Sequence, residues 1–328
     1  MQIAEQNGFA TIAAAAQCAY GHTMFYSADF PSGIAQLEDA TKTVEAGQNR
    51  ILTFNVRNYL ALQYSFTGEF ERAYELQQSV LDDAVAVGHR FIEQATRLWS
   101  SLGKSLQGNW HGALTLCDAA IALGYTTDAK YMEGYSRCGR AHARFMSSSQ
   151  REDAIREYAE GLTLLERVDH KLAVSMYEAW YAEICALSGK LPHARLHAEK
   201  ALACRARQEY TGEVVALRAL AIAESLATHP DWGESDALIA QALALAEQRM
   251  QRPDYAICWL RRGEILARRG AQSAALDALD TAAQCFTDLK MDWWMHALEA
   301  AREGIKCGYR ATESVPYLPA ATALATDA

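Results

Sequence analysis

Proline, glycine and β-branched residues are scarce in this chain. It has 6 prolines and 20 glycines among 328 residues, while alanine and leucine dominate. Because proline and glycine interrupt helices, and strands are rich in β-branched residues, this composition favours helix almost everywhere. It argues against an all-β fold and against a doubly wound α/β fold. Half of the residues are hydrophobic, so the chain can build a large core and disorder is excluded for most of its length.

Features typical of several other protein classes are also missing. No apolar run reaches the roughly 18 residues that span a bilayer, and the first residues lack the basic and apolar segments of a signal peptide. The formal net charge of −9 makes nucleic acid an unfavourable partner. The 8 cysteines are scattered without a CxxC pair, as expected of small buried side chains in a reducing compartment. We therefore expect a cytoplasmic protein that binds neither membranes nor nucleic acid.

A small residue recurs near a helix start at intervals of 38 to 43 residues, each time after a turn-forming segment. Between these turns, apolar residues recur every three or four positions, which predicts amphipathic helices. Each unit is therefore predicted to be an antiparallel helix pair, and the pairs to stack into a solenoid. The recurring small positions are Gly33, Ala73, Ala113, Ala154, Ala194, Ala237 and Ala275.

Aromatic and small residues recur inside the units where two helices must approach closely. In the last unit, Trp259 is followed by Gly263, the turn residue Gly270 and Ala275. This pattern resembles the tetratricopeptide repeat, with a period near 40 residues instead of about 34. The resemblance implies an all-α, tetratricopeptide-like α-solenoid, a right-handed superhelix of about seven helix pairs plus a C-terminal capping helix. The longer unit implies longer helices and a wider superhelix.

The domain boundaries follow from the same pattern. Residues 1–9 are expected to be a lead-in, residues 10–307 a single solenoid whose last helix, from residue 291, is the cap, and residues 308–328 a flexible tail. The tail contains two prolines and many small residues, which disfavour a helix and a core.

Two long stretches narrow the resemblance further. The segments YLALQYSFTGEFERAYELQQSVLDDAVAVGH and LRRGEILARRGAQSAALDALDTAAQCFTDLKMDWW are similar to the C-terminal repeat region of bacterial AAA or STAND signalling ATPases, including those with a class III adenylate cyclase, and of LuxR-type regulators. The resemblance implies that the partner is a protein, a peptide or another domain of a larger signalling protein. The sequence has no nucleotide-binding, cyclase, kinase or helix-turn-helix segment, so we expect a fragment or a free-standing repeat protein.

The leading functional hypothesis is a non-enzymatic interaction or sensor scaffold that holds its partner in a concave groove. The first helix of each pair should line this groove. A homodimer is left open. The inward-facing offset predicts the groove residues Asn58, Leu62, Leu98, Leu102, Ala179, Glu183, Leu260 and Glu264.

Other clusters leave alternatives open. A group of arginines late in the chain either binds an acidic peptide or phosphate or forms a solvated face paired with carboxylates. Alternatively, the superhelix closes around Trp180, Tyr177 and Tyr131 as a small-molecule sensor or an enzyme. No catalytic set, metal site or cofactor is indicated, and one of Trp293 and Trp294 is expected to face solvent. The arginines are Arg261, Arg262, Arg268 and Arg269.

Overall fold

The computed structural model describes residues 9–45, 49–148 and 150–306, and every regular element in these ranges is helical. One of these elements is a short 3₁₀ helix, Cys204–Arg207. The α-helices are α1 Ala10–Tyr26, α2 Phe30–Glu45, α3 Arg50–Thr67, α4 Phe70–Ala86, α5 Arg90–Gln107, α6 Trp110–Thr127, α7 Lys130–Ser147, α8 Arg151–Arg167, α9 Val174–Leu187, α10 Leu191–Ala203, α11 Glu213–Ser225, α12 Trp232–Gln248, α13 Arg252–Arg268, α14 Gln272–Leu289 and α15 Asp292–Lys306.

The helices form antiparallel pairs that stack in chain order, which confirms the all-α, tetratricopeptide-like solenoid. Each helix packs on its chain neighbours, and the first helix of one pair packs on the first helix of the next. The turns lie where the sequence predicted them. Gly68 ends α3 and Gly108 ends α5, both with positive φ (85° and 88°), a conformation that glycine adopts without steric cost.

Glycine marks the closest approach of the two helices within a pair. A Cβ atom on Gly263 of α13 would lie 2.7 Å from Leu279 Cδ2 and 3.2 Å from the Ala275 carbonyl oxygen of α14. In the first pair, a Cβ on Gly21 would lie 2.5 Å from Leu37 Cγ. The helix crossings therefore fall at the small positions that the repeat pattern predicted.

The variant Gly263→Leu is expected to lower the free energy of unfolding by about 1 to 3 kcal/mol or more, because overpacking must push α13 and α14 apart. The intrinsic helix propensity of leucine acts in the opposite direction by at most about 1 kcal/mol. Urea unfolding followed by circular dichroism measures the difference. A variant more stable than the wild type would contradict the observed crossing.

The sixth pair departs from the sequence prediction. Ala237 is exposed, and the small buried position is Ser235, with 0% exposure. Its hydroxyl donates to the Ala221 carbonyl oxygen at 2.8 Å, which satisfies the polar group in a crowded crossing. The repeat is accordingly more regular than predicted, since Ser235 lies 41 residues after Ala194 and 40 before Ala275.

The C-terminal helices close the solenoid on its first half. The indole Nε1 of Trp294 on α15 donates to the Leu106 carbonyl oxygen of α5 at 3.2 Å, across 188 residues of sequence. The Trp293 ring centroid lies 5.0 Å from that of Trp110 on α6. Lys290, at the end of α14, forms an ion pair with Glu71 of α4. We call these contacts the closure seam.

The closure seam explains why one expectation about the tryptophans is wrong. Trp293 and Trp294 are both buried, with 9% and 3% exposure. The sequence pattern gave α15 a single packing surface, against the preceding helix pair. In the structure α15 also packs against α5, so neither indole faces solvent.

The long repeat unit implied a wider superhelix, but the interior is filled by side chains. One hydrophobic core cluster extends from Phe25 to Ile305 and includes side chains from every helix pair, so the interior is packed.

The expected tail, residues 308–328, lies outside the described ranges, as do residues 1–8 of the expected lead-in. The 7 cysteines within these ranges are unbonded, and Cys285 is the one that is not fully buried. Over the described part of the chain, none of the helices has the length and apolar character needed to cross a membrane.

Candidate functional site: the bore of the solenoid

The first helices of the pairs converge on a small polar chamber at the centre of the superhelix. Its cavity volume is about 20 Å³, which is room for about one water molecule. Helices α5, α7, α9, α11, α13 and α15 all contribute to its wall. The polar and aromatic residues at this wall include His142, Trp180, Glu183, Arg218, Asp254 and Trp294.

Arg218 of α11 is the centre of the chamber's charge network. Its Nε and Nη2 donate to the two carboxylate oxygens of Glu183 on α9, at 2.7 and 2.9 Å. Its Nη1 donates to Asp254 Oδ1 of α13 at 2.9 Å. All three residues are buried, with 2%, 7% and 3% exposure respectively. One guanidinium group therefore links three successive helix pairs through charge-assisted hydrogen bonds.

The two carboxylates respond differently to the same cation. Burial by itself raises the pKa of Glu183, but the paired Arg218 outweighs burial and the pKa lies below its ordinary value. Burial raises the pKa of Asp254, and Arg218 only partly offsets it. The geometry explains the difference, because Glu183 receives two hydrogen bonds from Arg218 and Asp254 receives one. Relative to their ordinary pKa values, the network favours the ionised form of Glu183 and burial favours the protonated form of Asp254.

His142 of α7 lies beside this network between aromatic rings. Its ring stacks on Trp180 with centroids 4.6 Å apart and meets Trp110 edge-on at 5.7 Å. Its Nδ1 is buried and has no hydrogen-bond partner among the described residues. Burial lowers the pKa of His142 to about 4; Glu183 raises it and Arg218 lowers it by smaller amounts. At neutral pH this imidazole is uncharged.

Acidification should therefore destabilise the fold through His142. The unfolded chain binds a proton at this histidine below its ordinary pKa of about 6.5, whereas the folded chain does so only near 4. The contribution of His142 to the free energy of unfolding is fully present above pH 6.5. It falls by about 3 kcal/mol as the pH drops towards 4. In urea titrations across this range, His142→Gln should show a weaker pH dependence than the wild type. His229→Gln, at an exposed histidine, should retain the wild-type profile, and an unchanged profile in His142→Gln would contradict the assignment.

A second buried ion pair extends the network along α13. Arg261 Nη1 donates to both carboxylate oxygens of Glu264 at 3.0 and 2.9 Å, and the two residues have 0% and 4% exposure. The Arg261 guanidinium lies 5.9 Å from the centroid of the Trp294 ring. Burial raises the pKa of Glu264, and the charge of Arg261 partly opposes this. The bore thus combines ionised and aromatic groups at the level where α15 closes it.

The structure places the eight sequence-predicted groove residues inside the packed interior. Glu183 and Glu264 belong to the two ion pairs of the bore, and Asn58 of α3 donates to Thr96 Oγ1 of α5 at 2.9 Å. None of the eight offers an exposed surface in this closed form, so their contact with a partner stays a prediction. The apolar members, all buried, are Leu62, Leu98, Leu102, Ala179 and Leu260.

The four arginines predicted as an anion patch do not share one exposed surface. Arg261 and Arg268 point inward and are buried, which fits their spacing of seven residues. Arg262 is half-buried with its guanidinium 4.9 Å from the Trp259 ring centroid. Arg269 is exposed and forms an ion pair with Asp236. The alternative of a solvated face paired with carboxylates therefore describes Arg269. Binding of an acidic peptide or phosphate by the arginines stays a prediction.

The alternative pocket around Trp180, Tyr177 and Tyr131 is filled by neighbouring rings. Tyr177 stacks on Tyr135 with centroids 4.5 Å apart, and Trp180 stacks on His142. Tyr131 lies farther out and stacks on His170 at 4.6 Å. The space left beside Trp180 is the 20 Å³ chamber, which is too small for an organic ligand. Within the described ranges, no cluster of three or more His, Cys, Asp or Glu side chains is arranged to hold a metal ion.

Sequence reasoning missed three central residues of the bore: Arg218, Asp254 and His142. A signal for the first was present, because Arg218 is the single charged residue in the otherwise apolar stretch VVALRALAIA. Glu183 and Asp254 lie 35 and 36 residues from Arg218 in the sequence, close to one repeat on each side. Opposite charges one repeat apart on the first helices are the pattern that predicts such a network.

Comparisons with known proteins identify the fold. No protein-family model matches the sequence, and no curated protein matches it. Among solved structures, a Rap protein in complex with competence and sporulation factor superposes with a TM-score of 0.67 and 14% identity, over 83% of this chain and 74% of that chain. Aspartyl phosphate phosphatase F from Bacillus subtilis superposes with a TM-score of 0.61 and 12% identity, over 87% of this chain and 73% of that chain. The chain therefore shares its all-α, tetratricopeptide-like solenoid fold with these two proteins.

Proposed function

We propose that the chain is a non-enzymatic protein- or peptide-binding regulator whose binding surface is the inner face of the solenoid. The observation that carries the proposal is the pair of buried ionic networks around Arg218 and Arg261. Burying ion pairs costs desolvation free energy, and apolar side chains of similar volume are often at least as stabilising. A bore built only for stability would be apolar. The ionised groups of the bore are better explained as groups that recognise a polar partner when the bore opens.

The comparisons support the partner-binding part of this proposal. One of the two superposed structures is a Rap protein complexed with competence and sporulation factor, so a protein of this fold binds a separate factor. The TM-score of 0.67 supports the shared fold, and at 14% identity the ligand is left to be established by experiment. The resemblance to C-terminal repeats of AAA, STAND and LuxR-type proteins adds the proposal that the chain is a sensor region of a bacterial, cytoplasmic signalling system.

Opening of the closure seam would give a partner access to the inner face. The polar part of the closure seam is exposed, because the side chains of Glu71 and Lys290 are 76% and 69% accessible. Exposed pairs of this kind stabilise by only about 0 to 1 kcal/mol. The indoles of α15 add burial against α5 and α6, and α13 packs against α3 and α5. Movement of α13, α14 and α15 together away from α3 to α6 would open the chamber.

The negative charge of the chain favours a basic peptide. In the bore the buried acids Glu183, Asp254 and Glu264 are matched in number by the buried Arg218, Arg261 and Arg268, but the chain as a whole carries a net charge of −9. An entering lysine or arginine can replace Arg218 or Arg261 as the partner of Glu183 or Glu264. Electrostatic attraction would also accelerate association at low ionic strength.

Selection from a phage-displayed library of random short linear peptides tests the proposal. We expect enrichment of peptides rich in lysine and arginine, with binding measured by isothermal titration calorimetry. Glu183→Gln should weaken the binding of a selected peptide, and Asp39→Asn, at an exposed carboxylate on α2, should leave it unchanged. Glu71→Lys should strengthen binding, because like charges at the closure seam favour the open form. Selected peptides whose affinity is insensitive to Glu183→Gln and to Glu71→Lys would contradict an inner binding surface.

A further inference from the structure

Residues 208–212, which we call the strap, reach back from the second half of the chain to its first helix. They end the connection between α10 and α11, which is the longest between two consecutive α-helices of the described ranges. The Tyr210 N–H donates to the Tyr26 carbonyl oxygen of α1 at 2.7 Å. The Thr211 hydroxyl donates to the Phe25 carbonyl oxygen, also at 2.7 Å. Both carbonyl groups lie in the last turn of α1, where the helix itself supplies too few N–H donors.

The strap is held more firmly on the second half of the chain than on α1. The buried Glu209 carboxylate accepts from the Ser175 N–H at the start of α9 at 2.7 Å, and from Arg207 Nε at 3.1 Å. Hydrogen bonds to an ionised group are roughly twice as strong as neutral ones, and the bonds from Tyr210 and Thr211 to α1 are neutral. If α1 and the strap separate, the strap therefore stays with α9 and α11.

The strap contact and the closure seam lie along one line of contact between successive turns of the superhelix. Thr211 bonds to Phe25 across 186 residues of sequence, and Trp294 bonds to Leu106 across 188. In a solenoid built from similar repeats, equal separations join repeats at the same offset. The two contacts are therefore made at two levels of the same closure, and the first turn cannot leave the second while the strap holds α1.

We propose that the strap is an autoinhibitory contact that keeps the bore closed until it releases α1; this inference rests on the proposed inner binding surface. The contact is suited to reversible release. Its separation from α1 frees only neutral carbonyl, N–H and hydroxyl groups, which water can satisfy, and Glu209 keeps its partners, so no buried charge is left unpaired. Helix α1 ends the stack and packs mainly on α2 and α3, so it can move with the first half of the chain.

Thr211→Val tests the strap in the full chain, with Thr211→Ser as the matched control. Valine has nearly the shape of threonine but cannot donate to the Phe25 carbonyl oxygen, whereas serine keeps the hydroxyl. Amide hydrogen exchange, followed by mass spectrometry, measures how often the strap leaves α1. We expect the Tyr210 N–H to exchange about tenfold faster in Thr211→Val than in the wild type and in Thr211→Ser. Circular dichroism confirms that each variant is folded.

The coupling between the strap and the closure seam separates an autoinhibitory contact from a merely local one. Glu71→Lys changes α4 and leaves the strap untouched, yet it should speed the exchange of the Tyr210 N–H about threefold or more, because both contacts open together. In Thr211→Val, carbodiimide should link Lys290 to Glu71 in lower yield than in the wild type. Asp39→Asn, at an exposed carboxylate of α2, should leave the Tyr210 exchange unchanged. Unchanged Tyr210 exchange in Glu71→Lys would overturn the proposal, since the strap would then be independent of closure.

The affinity for a basic peptide selected as described above separates the role of the strap from the proposed function. Thr211→Val should bind such a peptide about tenfold more tightly than the wild type, because a larger fraction of the chain is open, and Thr211→Ser should bind as the wild type does. Equal affinities of Thr211→Val and the wild type, for a peptide whose binding Glu183→Gln weakens, would overturn the strap and leave the proposed function standing. The exchange measurements need no peptide, so they decide for or against the strap even if no variant binds one.

Discussion

Deletion of residues 291–307 is expected to unfold the chain or make it aggregate. The deletion removes α15, whose large buried side chains are Trp293, Trp294, Leu298 and Ile305. Complete burial of each such side chain stabilises a protein by roughly 1.5 to 3 kcal/mol, so the loss totals roughly 6 to 12 kcal/mol. This is comparable with the whole stability of a typical domain. The deletion exposes apolar surface on α14 and also on α5 and α6.

The matched control is removal of residues 308–328, which should leave the melting temperature and the helical circular dichroism unchanged. Size-exclusion chromatography and thermal melts compare the two truncated chains with the wild type. A 291–307 deletion that keeps its helicity, melting temperature and solubility would contradict both the capping role of α15 and the closure seam. Destabilisation by the 308–328 deletion would contradict the expectation of a flexible tail.

The variant Arg218→Met should lower the free energy of unfolding by about 3 to 5 kcal/mol. Methionine fills a similar volume, but it leaves Glu183 and Asp254 buried without their cation, and an uncompensated buried charge has a cost of this size. The destabilisation should decrease at lower pH, because the two carboxylates can then be protonated. Urea unfolding at neutral and at acidic pH measures both effects.

Neutralising the two carboxylates that pair with Arg218 separates the effect of charge on stability from the effect of packing. The triple variant Arg218→Met, Glu183→Gln and Asp254→Asn should recover most of the lost stability, because no ionised group of the network remains in the chamber. Leu226→Met, at the end of α11, is the control for a methionine placed on the same helix. If the triple variant were as unstable as Arg218→Met, the loss would come from packing and not from unpaired charge.

The local structure of this protein could be predicted from sequence because it depends on short-range patterns. Turn residues such as Gly68 and Gly108 and the periodic apolar positions indicate where the helices of each pair begin and end. The close crossing at Gly263 follows from the same pattern. The error at Ala237 arose because alanine and serine are both small, and the burial of Ser235 depends on a hydrogen bond to the neighbouring helix.

The closure and the contents of the bore could not be predicted in the same way. The shape of a superhelix is the sum of small rotations between successive pairs, and no single unit reveals whether the ends will meet. The burial of Trp293 and Trp294 depends on contacts with α5 and α6, which lie about 180 residues earlier in the sequence. For the same reason, residues predicted to line an open groove lie in a closed interior. The pairing of Arg218 with Glu183 and Asp254 needs the three-dimensional register of three helix pairs.

Closure also connects the fold to the proposed function. A packed bore with ionised groups at its centre has no accessible surface for a partner, and an open one has a continuous inner face. A partner that binds only the open form must supply the free energy that separates the two forms. Variants that weaken the closure seam should therefore increase the affinity for a selected peptide, whereas variants of the bore should decrease it.

Zero-length cross-linking tests most directly whether the two halves of the solenoid meet. Carbodiimide treatment should join Lys290 to Glu71, which form an ion pair across 219 residues of sequence and are both accessible to the reagent. The local pair Lys42 and Asp39, 2.8 Å apart on α2, is the internal control. Mass spectrometry of the monomer fraction should detect both links in the wild type, and only the local link in Glu71→Gln. Detection of the local link alone in the wild type would contradict the closed solenoid.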